Sequence, residues 1–551
     1  MTVLPEVDPL DARFALRAEG LLAEFNAAGV LGAADVHVAQ TLGTLSGVTD
    51  EKVLLAAALA VRGPRLGHVR VDLTKVRETV AVDADETLDL GALSWPEPED
   101  WLRRVAASPI VVDGEDAPER DRPLRLSATA LYLDRYWREE RQVAADLRGL
   151  AVPADGVDMR VLADGIARLF GDEPAGRQAV AAASAVLRRL AVVAGGPGTG
   201  KTTTVARIVA LLAEQAQAAG TPSPLVALAA PTGKAAARLQ EAVREAAPGL
   251  ATSAAVRTQL AALEASTLHR LLGWRPGTHS RFRHDRTNRL PYDVVLVDET
   301  SMVSLSLMAR LVEAVRAGAR LVLVGDPGQL TSIEAGVVLG DVVGPAASTL
   351  LLSPPARERL TAAVGHPIAA ADPPAGAVAA DGIVLLDRGR RFGPAVAGVA
   401  DAIRTGDGDA VVAALRDGGS EVRWLEADAA EPEGAAAVAE IRDEAVTAIR
   451  AVLAAARAGD ARRALDALGA FRLLCAHRRG PHGVSWWSDR IERWLEDDVD
   501  ISGRWYAGRP LLVTQNDYGL RLYNGDTGVV VAGETGTVAA AFDRGGDVLT
   551  V

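Results

Sequence analysis

A chain of 551 residues predicts about three or four domains at the usual ~100–200 residues each, which excludes a single small binding module. Apolar residues make up 49%, charged residues 24% and aromatics only 4%, the composition of a globular protein with aliphatic cores and not of a disordered one. A net charge of -13 means that any nucleic-acid contact must come from a local basic surface, and the single cysteine, Cys475, excludes an internal disulfide and a zinc site of two Cys and two His.

The N-terminus carries acidic residues where a signal peptide would have a basic end and an apolar run, and no stretch offers about 18 uncharged apolar residues. The expectation is a cytoplasmic protein without membrane contact. Residues 1–150 read as a helical N-terminal domain, with apolar residues at three- and four-residue spacing and no catalytic pattern. From 171 to 344 short apolar runs at 190–194, 225–230, 294–297 and 321–324 alternate with helical stretches, which predicts an α/β domain with a doubly wound parallel sheet. Residues 345–380, rich in Pro, Ala and Gly, read as a linker or insertion. A second α/β region, 381–504, is expected to open with a strand at 383–386 and to include another at 471–476. The tail from 505 to 551 has Asn-Asp, Asn-Gly and Gly-Gly turns between β-rich runs and reads as a small β module.

The strand LAVVA runs into GGPGTGKT at 195–202 and then into a helix, which satisfies the phosphate-loop pattern in its required strand–loop–helix context. Gly195, Gly198 and Gly200 let the backbone curl so that successive N–H groups face phosphate oxygens, and the helix N-terminus adds positive potential. Lys201 is expected to neutralise the β- and γ-phosphates of ATP and Thr202 to ligate Mg²⁺. With Gly196, Pro197, Thr199 and Thr203 these residues form the candidate nucleotide site. The strand VVLV ends in Asp298 and Glu299, where one acid suits the metal's water shell and the other the attacking water. Alone, such acids read equally as loop or cap residues. The third strand, LVLV, leads to Gln329, whose amide suits a γ-phosphate, although a plain turn residue is an equal reading on local grounds.

Only four lysines occur, at 52, 75, 201 and 234, and two of them fall in motifs. Thr232, Gly233 and Lys234 sit at an expected helix start suited to a backbone phosphate. Six arginines between 270 and 289, interleaved with Trp274 and Phe282, make the most basic stretch of an acidic chain. Arginine and aromatic groups together suit single strands, against the alternative of a solvated loop.

In this order GGPGTGKT, APTGKAAARL, STLHRLL, VVLVDETSMV, LVGDPGQLTSIEAGVVLGD and RRFG resemble the superfamily 1B DNA helicases, and specifically the family of RecD subunits, the α chains of exodeoxyribonuclease V. With LLCAHRRGPHGV and LLVTQNDYGLRLYNGDTGVV the likeness covers about residues 125–551. The resemblance implies two RecA-like P-loop NTPase domains, a helical N-terminal domain that docks on a scaffold and a small SH3-like β module. It implies ATP-driven 5′ to 3′ translocation on single-stranded DNA, with duplex ends as entry points, beside RecB-like and RecC-like partners in double-strand-break repair and recombination. It also implies that Gln178 reads adenine, that Arg391 reaches the nucleotide, that Thr267, His269 and Arg270 join Thr232, Gly233 and Lys234 on DNA, and that 275–292 is a small insertion near the strand-separating pin. On the residues alone, Gln178 reads as a solvated helix residue.

Two motifs that such helicases carry after the β module, Thr-x-His-Lys-Ser-Gln-Gly and Tyr-Thr-Ala-x-Thr-Arg, do not occur in these residues. The expectation is a C-terminally truncated chain with an incomplete second RecA-like domain. The alternative function is therefore an ATP-binding structural subunit without autonomous unwinding. A nuclease has no carboxylate–Lys cluster in its favour.

Overall fold

The computed structural model describes residues 11–551 except 81–89, 116–120, 172–175, 276–281, 330–333, 348, 378, 387–392, 427–434, 479–481, 497–504, 516, 518, 521, 523–524, 534–535 and 545–546. It divides into two compact units, one of residues 1–232 and 242–390, the other of 233–241 and 391–551.

The first unit begins with the helices Gly20–Ala27, Ala33–Ser46 and Glu51–Arg65. They enclose an aliphatic core with Phe25, which meets Trp95 edge-on at 4.6 Å, and Trp101, whose indole N–H donates to the Lys52 carbonyl. The helical expectation is met, but a four-stranded sheet accompanies the helices. Its strands β1 (Arg70–Asp72), β2 (Val111–Asp113), β3 (Leu124–Ser127) and β4 (Ala130–Leu133) run in the order β1-β4-β3-β2. Strands of three or four residues are too short to impose a readable alternation on the sequence. Arg125 on β3 is 2% exposed, and it survives there because Asp134 accepts from it at 2.9 Å and the Trp137 ring stacks on it at 4.1 Å.

The helix Asp134–Leu150 leaves this sheet and lies on the next, where Val143, Leu147 and Leu150 enter the larger core. That core belongs to a six-stranded, wholly parallel sheet of β5 (Leu190–Gly195), β6 (Val226–Ala230), β7 (Ala265–Thr267), β8 (Val294–Val297), β9 (Arg320–Gly325) and β10 (Ile383–Leu386), in the order β10-β5-β9-β8-β6-β7. Every residue of β5 and β8 is buried, as a parallel sheet covered on both faces requires. The four expected strands all form within it.

Two boundaries need correction. Residues 383–386 do not open a second α/β region; they complete the first sheet, with Ile383 opposite Val192 and Leu386 opposite Gly195. IVLL is apolar on both faces, and the free edge of β5 gives it both a backbone ladder and cover. Residues 345–380 are likewise no linker. Ser353 caps the helix Pro354–Val364, whose Leu360, Ala363 and Val364 are buried, and Asp381 anchors it by accepting from the Ser353 backbone N–H at 2.6 Å and from its hydroxyl at 3.0 Å.

The second unit contains the helices Pro394–Thr405, Gly408–Asp417, Ala435–Arg457, Ala461–Ala470 and Val484–Trp494. It also holds an antiparallel meander, β11 (Pro510–Leu512), β12 (Thr527–Ala532), β13 (Val538–Arg544) and β14 (Asp547–Thr550), which is the expected small β module. Val452, Ala455, Ala456, Ala464 and Leu465 pack on Val529, Val531 and Ala541 of that meander. The strand expected at 471–476 is absent: the segment is irregular and Leu474 is 89% exposed. Among the described residues of this unit no strand pair is parallel, so an apolar run there has no ladder to join.

Candidate nucleotide site

At the C-terminal end of the parallel sheet, β5 passes into the loop 196–200 and the helix Lys201–Ala218. Gly198 and Gly200 have φ of 78° and 83°, the left-handed turn that curls this loop. Gly200 is fixed twice over, since a Cβ there would also lie 2.3 Å from the Gln178 amide nitrogen. Thr199 is buried and its hydroxyl donates to the Gly196 carbonyl at 2.8 Å. Lys201 folds its ammonium back over the loop, donating to the Gly195 and Gly196 carbonyls at 2.6 and 2.9 Å. Thr202 is half-buried and Thr203 exposed at the helix start, while Pro197 lies on the outer rim of the loop.

Asp298 and Glu299 follow β8. The Asp298 backbone N–H donates to the Ala229 carbonyl of β6 at 2.9 Å, and its carboxylate accepts from the Glu299 N–H at 2.9 Å. Burial pushes the Asp298 carboxyl up to about 6; the Glu299 N–H and the Lys201 ammonium oppose that rise, and the Glu299 charge adds to it. Glu299 has φ 50° and ψ 41°, left-handed backbone at a residue that is not glycine, and its Oε2 is buried with no hydrogen-bond partner among the described residues. A strained residue with an orphaned buried oxygen is a feature expected of a functional position.

Gln329 follows β9, the strand between β5 and β8. It is half-buried, and its backbone N–H donates to the Asp326 carbonyl at 3.2 Å. Asp326, which sequence reasoning did not single out, shapes this turn by accepting from the Gly328 N–H at 3.0 Å. Its signal was available, because an Asp just after an expected strand and two residues before a Gly is an Asx-turn former. Gly325 allows the end of β9 to approach the loop after β8, since a Cβ would lie 3.1 Å from the Thr300 nitrogen. The three strand ends that carry Lys201, Asp298 with Glu299, and Gln329 are thus brought to one edge of one sheet.

Gln178 is not a solvated helix residue. It is half-buried on the helix Arg177–Leu187, and its amide donates to the Thr199 carbonyl at 2.8 Å. Arg391 lies outside the described residues.

The polynucleotide candidates are positioned as follows. Thr232 is half-buried just past β6, and Gly233 opens the helix Gly233–Ala246 with Lys234 exposed in its first turn. Thr267 ends β7 and caps the helix Leu268–Leu272 by accepting from the Arg270 N–H at 3.2 Å; His269 and Arg270 are exposed. In the basic stretch, Trp274 and Phe282 form an antiparallel bridge on either side of 276–281, which lie outside the described residues. Part of the arginine run is structural. Arg286 donates to Asp146 at 2.6 Å, and Arg289 donates to the Val315 carbonyl at 2.8 Å and to that of Arg286 at 3.1 Å.

The Asp298 environment has a stability consequence. The unfolded carboxyl titrates near 3.8, so between there and about 6 the native state holds a proton that the unfolded state has lost, and stability falls as pH rises through that window. Asp298→Asn is therefore expected to stabilise the nucleotide-free protein by about 2 kcal/mol at pH 8 and by little at pH 4. Thermal melting at both pH values checks this, and an unchanged or lower melting point at pH 8 contradicts it.

Comparison with known proteins places these features in a family. The model of an AAA domain matches residues 177–335, and that of "RecBCD enzyme subunit RecD, N-terminal domain" matches residues 27–132. The chain is 48% identical over 522 residues to the RecBCD enzyme subunit RecD of Mycolicibacterium smegmatis, covering 94% of this chain and 83% of that one. It is 47% identical over 550 residues to the subunit of the same name from Mycobacterium tuberculosis, covering 98% and 84%. Among solved structures, Bacteroides Pif1 bound to single-stranded DNA matches 66% of this chain and 70% of its own at 16% identity, with a TM-score of 0.29. At 47–48% identity over nearly its whole length, this chain belongs to the RecD family of RecBCD enzyme subunits.

Proposed function

We propose that this chain is the ATP-dependent DNA helicase subunit of a RecBCD-type helicase–nuclease, moving 5′ to 3′ on single-stranded DNA from duplex ends in double-strand-break repair. Its partners are RecB-like and RecC-like subunits, and it works in the cytoplasm. Among the described residues, no helix is long and apolar enough to cross a membrane. The observation that carries the reading is the convergence of Lys201, Asp298, Glu299 and Gln329 at the ends of adjacent parallel strands, in a chain of this family.

ATP enters with its phosphates on the N–H groups of 196 and 198–203, and Lys201 exchanges its two carbonyl partners for phosphate oxygens. The residues fit Mg²⁺: a buried carboxylate with a raised pKa is stabilised by a nearby cation, and Mg²⁺ on phosphates needs only one such group with the Thr202 hydroxyl. Bound there, the ion would neutralise charge developing on the phosphates. Glu299, with its unpartnered Oε2, accepts the proton of the attacking water. Gln329 hydrogen-bonds the γ-phosphate and is released by its loss, and Arg391 supplies a further positive charge. Thr232, Gly233, Lys234, Thr267, His269 and Arg270 hold the DNA backbone, so that the nucleotide state alters the grip on DNA.

The test is ATP hydrolysis with and without single-stranded DNA. Stimulation is expected, and Lys234→Ala is expected to raise the half-saturating DNA concentration about tenfold, as loss of one phosphate contact does at low salt. A folded, nucleotide-binding sample that shows no stimulation, alone or assembled with its partners, would leave only the ATP-binding structural role.

A further inference from the structure

We propose that a pocket at the N-terminal edge of the parallel sheet, lined by Arg188 and Arg359, is a binding site for a small aliphatic carboxylate. Its volume is about 450 Å³, within the ~300–1,000 Å³ of small-molecule sites. Arg188 stands two residues before β5 and Asp381, also in the pocket, two residues before β10. The phosphate loop leaves the other end of β5, whose six residues set the two places about 20 Å apart at ~3.3 Å per residue. The pocket is therefore separate from the nucleotide site.

The charges in it do not balance. Arg188 is 9% exposed; its Nη2 donates to the Ala151 carbonyl at 2.9 Å and its Nη1 to the Asp381 carboxylate at 3.4 Å. Its Nε is buried with no partner among the described residues, and each Nη keeps a second N–H. Asp381 is shared, since its carboxylate also accepts from the Ser353 N–H at 2.6 Å and hydroxyl at 3.0 Å. Arg359, on the helix Pro354–Val364, lines the same pocket and makes no hydrogen bond or ion pair among the described residues. Burial lowers the pKa of Arg188, Asp381 opposes that fall, and the charge of Arg359 adds to it, as two cations facing one space do. The N-terminus of the helix Pro354–Val364 opens on this space and adds positive potential. It brings no donors, because Pro354 and Pro355 have no N–H and those of Ala356 and Arg357 are bonded to the Ser353 hydroxyl and carbonyl. An anion there would be held by the two guanidiniums.

The walls decide what carries the charge. Pro153, Pro355, Pro373, Pro374 and Ala377 are aliphatic, the lining has no aromatic ring, and its one hydroxyl, that of Ser353, already donates to Asp381. A nucleotide or a sugar would find nothing to stack on and would leave its hydroxyls unpaired. A carboxylate offers two oxygens that match a guanidinium fork, and a saturated chain asks only contact of the proline walls. Those walls are fixed before a ligand arrives. Pro153 forms an antiparallel bridge with the backbone of Arg188, and the Ala377 N–H closes a turn on the Pro374 carbonyl at 3.1 Å.

The experiment titrates the full chain with hexanoate, followed by ligand-observed NMR, beside hexanamide, acetate and inorganic phosphate. Saturable binding of hexanoate is expected. Hexanamide, which keeps the chain but not the charge, and acetate, which keeps the charge but not the chain, are each expected to bind about tenfold more weakly. Arg359→Met keeps an unbranched side chain and removes its donors. It is expected to weaken hexanoate about tenfold while the melting temperature and ATP hydrolysis stay unchanged, because Arg359 holds nothing in the fold and lies away from the phosphate loop. Ala356→Leu narrows the pocket without altering a charge and is expected to weaken hexanoate but not acetate; it decides the matter if Arg359→Met fails to fold. Equal binding of hexanoate and hexanamide, or unaltered affinity in a folded Arg359→Met, would overturn the role of the two arginines. Phosphate bound as tightly as hexanoate, or hexanoate affinity unchanged by Ala356→Leu, would overturn the aliphatic class. No saturable hexanoate binding would overturn the site itself.

Discussion

Lys201→Ala is expected to lower ATP hydrolysis about a thousandfold, with or without DNA, while the melting temperature of the nucleotide-free protein barely moves. The two halves of that expectation have different origins. The ammonium of Lys201 is bonded to two carbonyls of its own loop, Gly195 and Gly196, so the resting loop has its positive group in place at the mouth proposed for the phosphates. Its loss removes a full charge from the point at which negative charge develops on the transferred phosphoryl group. The fold gains little from it, because the loop is shaped by the left-handed Gly198 and Gly200 and by the Thr199 hydroxyl on Gly196, none of which needs the lysine. Hydrolysis assays paired with thermal melting check both halves. Residual activity above about a tenth of wild type would remove Lys201 from the chemistry.

The parts of this architecture that the sequence made legible are those in which one segment carries its own pattern. The strands at 190–194, 225–230, 294–297 and 321–324 are apolar runs bounded by turn residues, and the phosphate loop is local by construction; all stand in the structure as expected. β7 was not legible, because Ala265–Thr267 has three residues and no large apolar side chain, and it exists only as an edge ladder on β6. β10 was legible as a strand but not as to its sheet. Nothing in IVLL states that its ladder lies on β5, nearly 190 residues earlier, and the intervening Pro/Ala-rich stretch conceals a capped helix that packs on the same unit. The same limit applies at the site. The sequence marked Gln178 only through the resemblance, because its burial depends on Thr199 and Arg207, residues on other elements. It overcounted the basic stretch, because pairing Arg286 with Asp146 requires the helix Asp134–Leu150 to lie across the sheet, an arrangement no local composition reports.

Glu299→Gln is expected to cut the turnover number by about a hundred- to a thousandfold while leaving ATP binding intact or slightly tighter. The two acids after β8 differ in environment, and the proposed roles follow that difference. Asp298 accepts from the Glu299 N–H and is buried, and that burial pushes its carboxyl up to about 6, an environment that suits a metal cation placed against it. Glu299 has left-handed backbone and, among the described residues, a buried Oε2 with no hydrogen-bond partner, which suits a group awaiting a proton or a water. Glutamine preserves the shape and removes the basicity, so proton acceptance is lost while the phosphate loop, Lys201 and Asp298 still bind nucleotide. Asp298→Asn should behave differently: nucleotide affinity should become insensitive to Mg²⁺, and the apo protein should be stabilised at pH 8. Equilibrium nucleotide binding with and without Mg²⁺, measured beside turnover for both variants, separates the roles. If Glu299→Gln instead weakened Mg²⁺-dependent binding and left turnover of the bound nucleotide unchanged, the assignment would have to be exchanged between the two acids. The left-handed strain at Glu299 would then lack a catalytic explanation.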